Sequence, residues 1–258
     1  MTYSEVPLLS ADDPAPVIVE RPGAASAFFL SCDHAGKAIP QRLGDLGLST
    51  ADRERHIAWD IGALGVAREL STMLDATLVA QVYSRLVIDC NRPQRAITLV
   101  PESSEATGIP GNRSLSDPER RRRKTEIYDP YHDAIRGLLD ERARRAIDTI
   151  FIAIHSFTPI YLGVARPWSI GVLYGSDERL ARPVLQGLCA DASLCVGDNE
   201  PYRIDGKDHG IPEHALKRSL RHVLFELRQD LITQKARQRA WARRLADVLP
   251  PAVEKLSM

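Results

Sequence analysis

The chain alternates between short apolar runs and longer amphipathic segments, and this alternation limits the folds open to it. Apolar runs that suit β-strands occupy residues 27–32, 76–82, 84–90, 148–157, 169–175 and 221–230. Residues between them place apolar side chains at helical spacing. Strands that alternate with amphipathic helices form layered domains in which helices cover both faces of one sheet. The pattern predicts a three-layer α/β/α fold with a mixed, largely parallel central sheet.

Four helices are expected between and after these strands, at residues 48–74, 117–146, 176–192 and 231–249. Ser116 or Asp117 can cap the second of them, and Pro130 either kinks this helix or divides it. No internal repeat or linker splits the chain. We therefore expect one domain over residues 1–258, with residues 1–24 as an irregular leader that includes a short edge strand at 17–19.

The charge balance argues against several classes of partner. Lysine and arginine together number 34, as do aspartate and glutamate, so the formal net charge is zero. This gives no support for a general binder of nucleic acid or membrane surfaces. The basic run at 120–124 is expected to be a solvated helix face. No stretch approaches the ~20 apolar residues of a membrane helix, and the acidic N-terminus lacks the features of a signal peptide. A cytoplasmic location is expected.

Polar residues gather where the predicted strands end. Each of four strands is followed, or ended, by histidine, carboxylate, amide or guanidinium groups: His34, Asp89 with Asn91 and Arg92, His155, and Glu226. Ligands of open α/β sheets bind beyond the C-terminal ends of the strands. If these strands are parallel, the polar groups converge at one edge and form a site.

Two of these residues suit a metal. Neutral imidazoles of His34 and His155 are typical zinc ligands, and a catalytic zinc takes three protein ligands and leaves one position open. The third ligand is Asp60 or His56, which lie four residues apart and would share one face of the first predicted helix. Asp60 is the preferred candidate and His56 the alternative.

Glu226 is the expected general base and acid, because a carboxylate beside an activated water can accept its proton and pass it to a leaving amine. The alternative is a structural ion pair of Glu226 with Arg228 or Lys217. Arg85 and Arg92 offer guanidinium groups that bind a substrate carboxylate or stabilise an oxyanion, although Arg85 could instead pair with Asp89.

Five motifs resemble those of one family. In order along residues 27–232, the chain carries SCDHAG, YSRLVIDCNRP, IAIHSFTP, GDNEPY and VLFELRQDLI. Together they resemble the N-formylglutamate amidohydrolase family, which belongs to the wider zinc carboxypeptidase-like group. The resemblance implies a mixed α/β sheet with helices on both faces. It also implies one zinc ion and hydrolysis of an amide on a small N-acylated acidic amino acid.

The resemblance also implies roles for individual residues. It assigns His34 and His155 as metal ligands, Asn91 and Arg92 as binders of the substrate carboxylate, and Glu226 as the catalytic carboxylate. Two further residues of the loop that begins with GDNEPY, at 197–215, are plausible substrate-side groups: Tyr202 and His214.

One position departs from the wider group, whose members often use a His-x-x-Glu pair as the first two ligands. Lys37 stands three residues after His34, so the carboxylate ligand has to come from elsewhere, and Asp60 is the natural candidate. Two alternatives stay open: a zinc peptidase or amidase acting on peptide or cell-wall substrates, and a non-catalytic protein that binds acidic ligands. The absence of GxSxG, GxGxxG and GxxxxGK[ST] motifs argues against serine hydrolases and nucleotide-binding proteins.

Overall fold

The computed structural model describes residues 6–256. Its strands β1 to β11 are Val17–Glu20, Phe28–Cys32, Thr77–Gln81, Ser103–Ser104, Thr107–Gly108, Ile150–Phe157, Ile160–Tyr161, Val164–Ala165, Ile170–Leu173, Val196–Asp198 and Arg221–Arg228. Its α-helices α1 to α6 are Thr50–Arg53, Ala63–Met73, Asp117–Arg123, Asp129–Arg144, Ala181–Cys189 and Lys235–Glu254. Short 3-10 helices are Gln41–Leu43, Ile97–Leu99, Pro110–Asn112, Leu216–Arg218 and Gln229–Leu231, and π-helical turns are Lys124–Tyr128 and Ile211–Ala215.

Seven of the strands form the central sheet, in the order β1-β3-β2-β6-β11-β9-β10. β3, β2, β6 and β11 run parallel to one another. β1 pairs antiparallel with β3, β9 pairs antiparallel with β11, and β10 runs parallel with β9. The predicted mixed, largely parallel sheet is confirmed. The edge strand expected in the leader is β1, and residues 1–5 of that leader lie outside the described residues.

Each face of the sheet has its own apolar core. Successive side chains of a strand point to opposite faces, so Leu30 and Ile152 pack with α2, α5 and α6, whereas Phe29 and Phe151 pack with α4. The sheet therefore lies between two helical layers, as the sequence predicts. Within residues 6–256, no helix is both long enough and apolar enough to cross a membrane.

The topology brings the ends of the parallel strands to one edge of the sheet. β6 and β11 are in register with His155 opposite Glu226. β2 is the other neighbour of β6 and ends at Cys32, two residues before His34. The predicted convergence of strand ends follows directly from this parallel arrangement.

The single helix predicted at 48–74 is wrong. The chain forms α1, then turns through residues 54–62, and resumes as α2 after Gly62, which has φ +81°. The Asp60 N–H donates to the His34 carbonyl at 2.9 Å, which ties this turn to the loop after β2. A tertiary contact thus interrupts a segment whose local pattern is helical throughout, and His56 and Asp60 do not share a helix face.

The strand predicted at 84–90 is also wrong, although this segment is buried. Its polar groups bond locally: Ser84 Oγ accepts from the Leu86 N–H at 3.1 Å, and Asp89 Oδ1 accepts from the Asn91 N–H at 2.9 Å. Side-chain acceptors of this kind replace the backbone partners that a strand would need. The apolar residues reveal burial here, but they do not reveal the conformation.

The helix predicted at 117–146 is divided into α3 and α4 by a π-helical turn, and Pro130 lies in the first turn of α4. Ser116 caps α3 and forms a reciprocal capping box with Glu119, as expected for this start. The helix predicted at 176–192 is shorter, because α5 begins at Ala181. β10 was not predicted.

Gly36 allows the loop that carries His34 to lie against the chain after β3. A Cβ at this position would fall 1.9 Å from the Val82 carbonyl oxygen, which accepts the Ala38 N–H at 3.2 Å. We expect Gly36→Ala to reduce the free energy of unfolding by about 1–3 kcal/mol, because backbone on both sides blocks relief of the clash. Gly137→Ala in α4, where no atom lies within 4 Å, is the control, and there we expect stabilisation of about 0.4–1 kcal/mol. Urea unfolding measures both changes, and equal effects would contradict this account.

Candidate active site

His34, Asp60 and His155 meet at the C-terminal edge of the sheet. Each offers one ligand atom, and these atoms lie within 4.8 Å of one another. Asp60 Oδ2 is 2.8 Å from His155 Nδ1, and Asp60 Oδ1 is 3.5 Å from His34 Nδ1. All three side chains are buried. The structure therefore brings the preferred third candidate, Asp60, into the cluster.

The alternative third ligand, His56, lies elsewhere. Its Nε2 is 2.8 Å from Glu105 Oε1, and the pair is partly exposed. Lys37 is also outside the cluster: its ammonium pairs with Glu54 and lies 5.1 Å from the centre of the Trp59 ring. The carboxylate of the cluster is therefore that of Asp60, whereas position 37, where related sites often have a glutamate, holds a lysine.

Two further carboxylates fix the orientation of the histidines. His34 Nε2 is 2.7 Å from Asp89 Oδ1, and His155 Nε2 is 3.1 Å from Asp33 Oδ2. Because ionised carboxylates only accept hydrogen bonds, each Nε2 carries a proton. Each Nδ1 faces Asp60, and the His155 Nδ1, 2.8 Å from Asp60 Oδ2, also carries a proton unless a cation takes its place. His34 Nδ1 is buried without a hydrogen-bond partner. This is the arrangement that orients histidine ligands at metal sites.

The orienting carboxylates are themselves held. Asp89 Oδ2 accepts two hydrogen bonds from the Arg85 guanidinium, at 2.7 and 3.1 Å. Asp33 Oδ1 accepts from the Tyr131 hydroxyl at 2.5 Å. The sequence placed Asp89 at a strand end but assigned it no role beyond pairing, and it assigned none to Asp33. The sequence did carry a signal for both residues. Asp33 directly precedes His34 in the chain, and Asp89 stands at a predicted strand end on the same edge of the sheet.

The buried charges of the cluster do not balance. In the neutral imidazole state that a metal ligand requires, Asp33, Asp60 and Asp89 contribute three negative charges against one positive charge on Arg85, which leaves two uncompensated. Burial opposes ionisation, but the hydrogen bond and charge of His155 hold the pKa of Asp33 down at about 2. Burial also opposes protonation of His155, yet its hydrogen bonds to Asp33 and Asp60 raise its pKa well above the usual range, so where no cation is bound a second proton on this ring meets part of the imbalance. A divalent cation would balance this charge and suits the donor set of two imidazoles and one carboxylate.

Glu226 lies beside the cluster on β11. Burial raises its pKa to about 7; the charge of Asp60 raises it further, and the charges of His155, His34 and Arg85 oppose the rise. Its Oε2 is buried without a hydrogen-bond partner. The alternative ion pair is not formed, because Lys217 pairs with Glu213 and Arg228 pairs with Asp230. Glu226 is thus a carboxyl group that can exchange a proton near neutral pH.

Asn91 and Arg92 support the loop at 205–210. Asn91 Oδ1 accepts the N–H groups of His209 and Gly210, at 3.0 and 2.9 Å, and its Nδ2 donates to Asp208 Oδ1 at 3.2 Å. Arg92 Nη1 donates to the Asn91 carbonyl at 3.0 Å and lies 3.7 Å from Asp208. Both ends of the Asn91 amide are therefore engaged by the loop at 205–210, and the geometry does not support the direct substrate contact expected for it. Arg92 is partly exposed.

The two residues expected on the substrate side differ in position. Tyr202 is 40% exposed, and burial together with the charge of Glu226 raises its pKa to about 12. His214 is fully buried, with its Nε2 2.8 Å from His132 Nδ1. Burial, partly opposed by the charge of Asp33, lowers the His214 pKa to about 4, so this residue is a neutral core histidine. The expected substrate contact of His214 is corrected on this ground.

The orienting role of Asp89 can be tested by mutation. We expect Asp89→Asn to weaken binding of a divalent cation at this cluster, measured with zinc as the probe, by about 10- to 100-fold, because His34 loses the charged acceptor that fixes its ring. Competition with a chromophoric chelator measures the affinity. Asp52→Asn, at a partly exposed carboxylate that pairs with Arg55, is the matched control. If both variants bound zinc like the wild type, Asp89 would have no orienting role.

Comparisons with known proteins agree in family. The family model of N-formylglutamate amidohydrolase matches residues 26–233. An N-formylglutamate deformylase from Pseudomonas putida is 30% identical over 185 residues, which are 64% of this chain and 66% of that protein, just under two thirds of its length.

Two solved structures share the fold. A gene product from Agrobacterium tumefaciens superposes with a TM-score of 0.94 and 40% identity, covering 97% of this chain and 100% of the other. An N-formylglutamate amidohydrolase from Ralstonia eutropha gives a TM-score of 0.67 and 19% identity, covering 95% and 99%. At that identity the second likeness concerns the fold alone.

Proposed function

Because the chain belongs to the N-formylglutamate amidohydrolase family, we propose that it hydrolyses the amide bond of an N-acylated acidic amino acid. The simplest substrate is N-formyl-L-glutamate, which gives formate and glutamate. The observation that carries the proposal is the buried cluster of His34, Asp60 and His155 with Glu226 beside it.

His34, Asp60 and His155 would hold one zinc ion. Three features support this: the unpartnered His34 Nδ1, the outward proton on each Nε2, and two uncompensated negative charges. When bound, zinc supplies Lewis-acid polarisation of the scissile carbonyl and activation of water. Zinc is proposed over magnesium or calcium because two of the three donors are nitrogen atoms.

Glu226 moves the proton. Water adds to the acyl carbon, and the Glu226 carboxylate accepts one of its protons. The carbon–nitrogen bond then breaks, and Glu226 returns this proton to the leaving nitrogen. A pKa of about 7 suits both halves of the step, since the group gives and takes a proton at similar cost.

Neither alternative is favoured. The non-catalytic reading rested on Lys37, and Asp60 supplies a carboxylate in its place. The peptidase reading lacks a specific observation. A substrate panel tests the choice: zinc-loaded protein should hydrolyse N-formyl-L-glutamate and leave muramoyl peptides and unmodified dipeptides intact. Hydrolysis of the peptides alone would contradict the proposed substrate class.

A further inference from the structure

We propose that Arg166 binds the side-chain carboxylate of the substrate and thereby sets the preference for acidic amino acids. Its guanidinium lies among three aromatic rings beside the candidate active site. The inference rests on the proposed function and extends it to substrate selection. Neither the motifs nor the predicted site residues include Arg166.

Aromatic side chains hold the Arg166 guanidinium in place. It lies 4.5 Å from the centre of the Tyr161 ring, 4.7 Å from that of Tyr202 and 5.8 Å from that of Phe157. Its Nη1 donates to the Tyr202 hydroxyl at 2.8 Å. Such stacking limits the number of rotamers that the side chain can adopt. It covers the faces of the planar guanidinium, whose N–H donors lie along its edge.

The backbone of Arg166 is fixed from two strands. The Arg166 N–H donates to the Pro159 carbonyl at 2.8 Å and closes the hairpin β7–β8, which follows β6. The Arg166 carbonyl accepts from Arg228 Nη1 at 3.4 Å, at the end of β11. Strands β6 and β11 also carry His155 and Glu226. The same two elements therefore position Arg166 and the candidate catalytic groups.

The charge of Arg166 is available to a ligand. At this edge Arg85 pairs with Asp89, Arg92 lies near Asp208 and Arg228 pairs with Asp230. In the described part of the chain, Arg166 has no acidic partner, and one of its five N–H donors is used by Tyr202. A carboxylate is the ligand that matches a planar guanidinium fork with unused donors.

The position selects the side-chain carboxylate. Phe157 lies two residues after His155 on the same face of β6, roughly 6–7 Å along the strand, and the Arg166 guanidinium lies 5.8 Å from the centre of the Phe157 ring. The α-carboxylate of an N-acyl amino acid is attached next to the scissile nitrogen and stays near the ligand cluster. The side-chain carboxylate of glutamate is two methylene groups farther from the scissile bond, and we assign this carboxylate to Arg166. Tyr202 accepts a hydrogen bond from Arg166, and the nearby charge of Glu226 helps to raise the Tyr202 pKa. Tyr202 therefore lies near both Arg166 and the candidate catalytic groups.

The test compares binding of L-glutamate, the proposed product, and L-glutamine to the zinc-loaded protein by calorimetry, since neither carries an N-acyl group to be hydrolysed. These ligands differ only in the side-chain carboxylate. We expect the wild type to prefer the glutamate ligand by about 10- to 100-fold, as for a charge-assisted hydrogen bond. Arg166→Gln should lose this preference while retaining affinity for the glutamine ligand. Arg166→Lys should retain part of it, since the charge persists without the fork.

Arg244→Gln is the matched control. Arg244 also lies over an aromatic ring, 4.9 Å from the centre of Trp241, but on α6. It should keep the full preference. A wild type without preference, or an Arg166→Gln variant that retains it, would overturn the inference. Hydrolysis of N-formyl-L-glutamate is measured separately. Binding preference without hydrolysis would contradict the proposed function but would agree with the role proposed for Arg166.

Discussion

Replacing Glu226 with glutamine is expected to reduce kcat for N-formyl-L-glutamate by about 10²- to 10⁴-fold, the usual contribution of general acid–base catalysis. Glutamine matches the shape of the protonated carboxyl but cannot accept the proton from water. Zinc content should be unchanged, because Glu226 supplies none of the three proposed ligand atoms. Steady-state kinetics and elemental analysis of the same preparation measure both quantities.

The fold should tolerate this change. Glu226 has an unpartnered Oε2 and a pKa of about 7, so a neutral group at this position costs no ion pair. Glu213→Gln, which removes a carboxylate that pairs with Lys217, is the control and should retain wild-type kcat. An active Glu226→Gln variant would assign the proton transfer to another group.

His155→Ala is expected to abolish both zinc binding and activity. It removes one of the three ligand atoms and deprives the buried carboxylates of Asp33 and Asp60 of the hydrogen bonds that His155 gives them. Breaking a buried pair in this way typically costs about 3–5 kcal/mol of stability. Elemental mass spectrometry should give about one zinc per wild-type chain and none above background for the variant.

A second variant that should remain folded is needed, because loss of zinc in His155→Ala could also follow from unfolding. His155→Asn retains a hydrogen-bonding group and shortens the side chain, so we expect a folded protein that still lacks zinc. His56→Ala, at the rejected third ligand, should retain zinc and activity because His56 bonds to Glu105 outside the cluster. Zinc retained in both His155 variants would mean that the cluster is not the metal site.

Much of the site was predictable because it depends on topology. His34, His155 and Glu226 each follow or end an apolar run, and parallel strands align such positions at one edge whatever the loops do. The convergence of these residues was therefore predictable without knowing the order of the strands.

Asp60 was predicted for a wrong structural reason. The sequence placed it on a helix face with His56, whereas it lies in a turn fixed by the His34 carbonyl. Local periodicity cannot reveal such a break, because the interaction that causes it joins residues distant in the chain. The same limit explains residues 84–90, where side-chain acceptors replace a strand ladder.

Residues in loops were the hardest to assign. Asn91 and His214 have side chains that suit a substrate, yet Asn91 bonds to the loop at 205–210 and His214 to His132. Whether a polar group is free depends on which neighbours the fold brings to it. Arg166 shows the reverse, since nothing near it in the sequence indicates a guanidinium without an acidic partner.

The most direct measurement is a zinc titration of chelator-stripped protein with N-formyl-L-glutamate as substrate and released glutamate as the readout. The account predicts no activity without metal, and activity that rises linearly and saturates near one equivalent of zinc per chain. Full activity in the stripped protein, or none at any zinc concentration, would contradict a metal-dependent amidohydrolase.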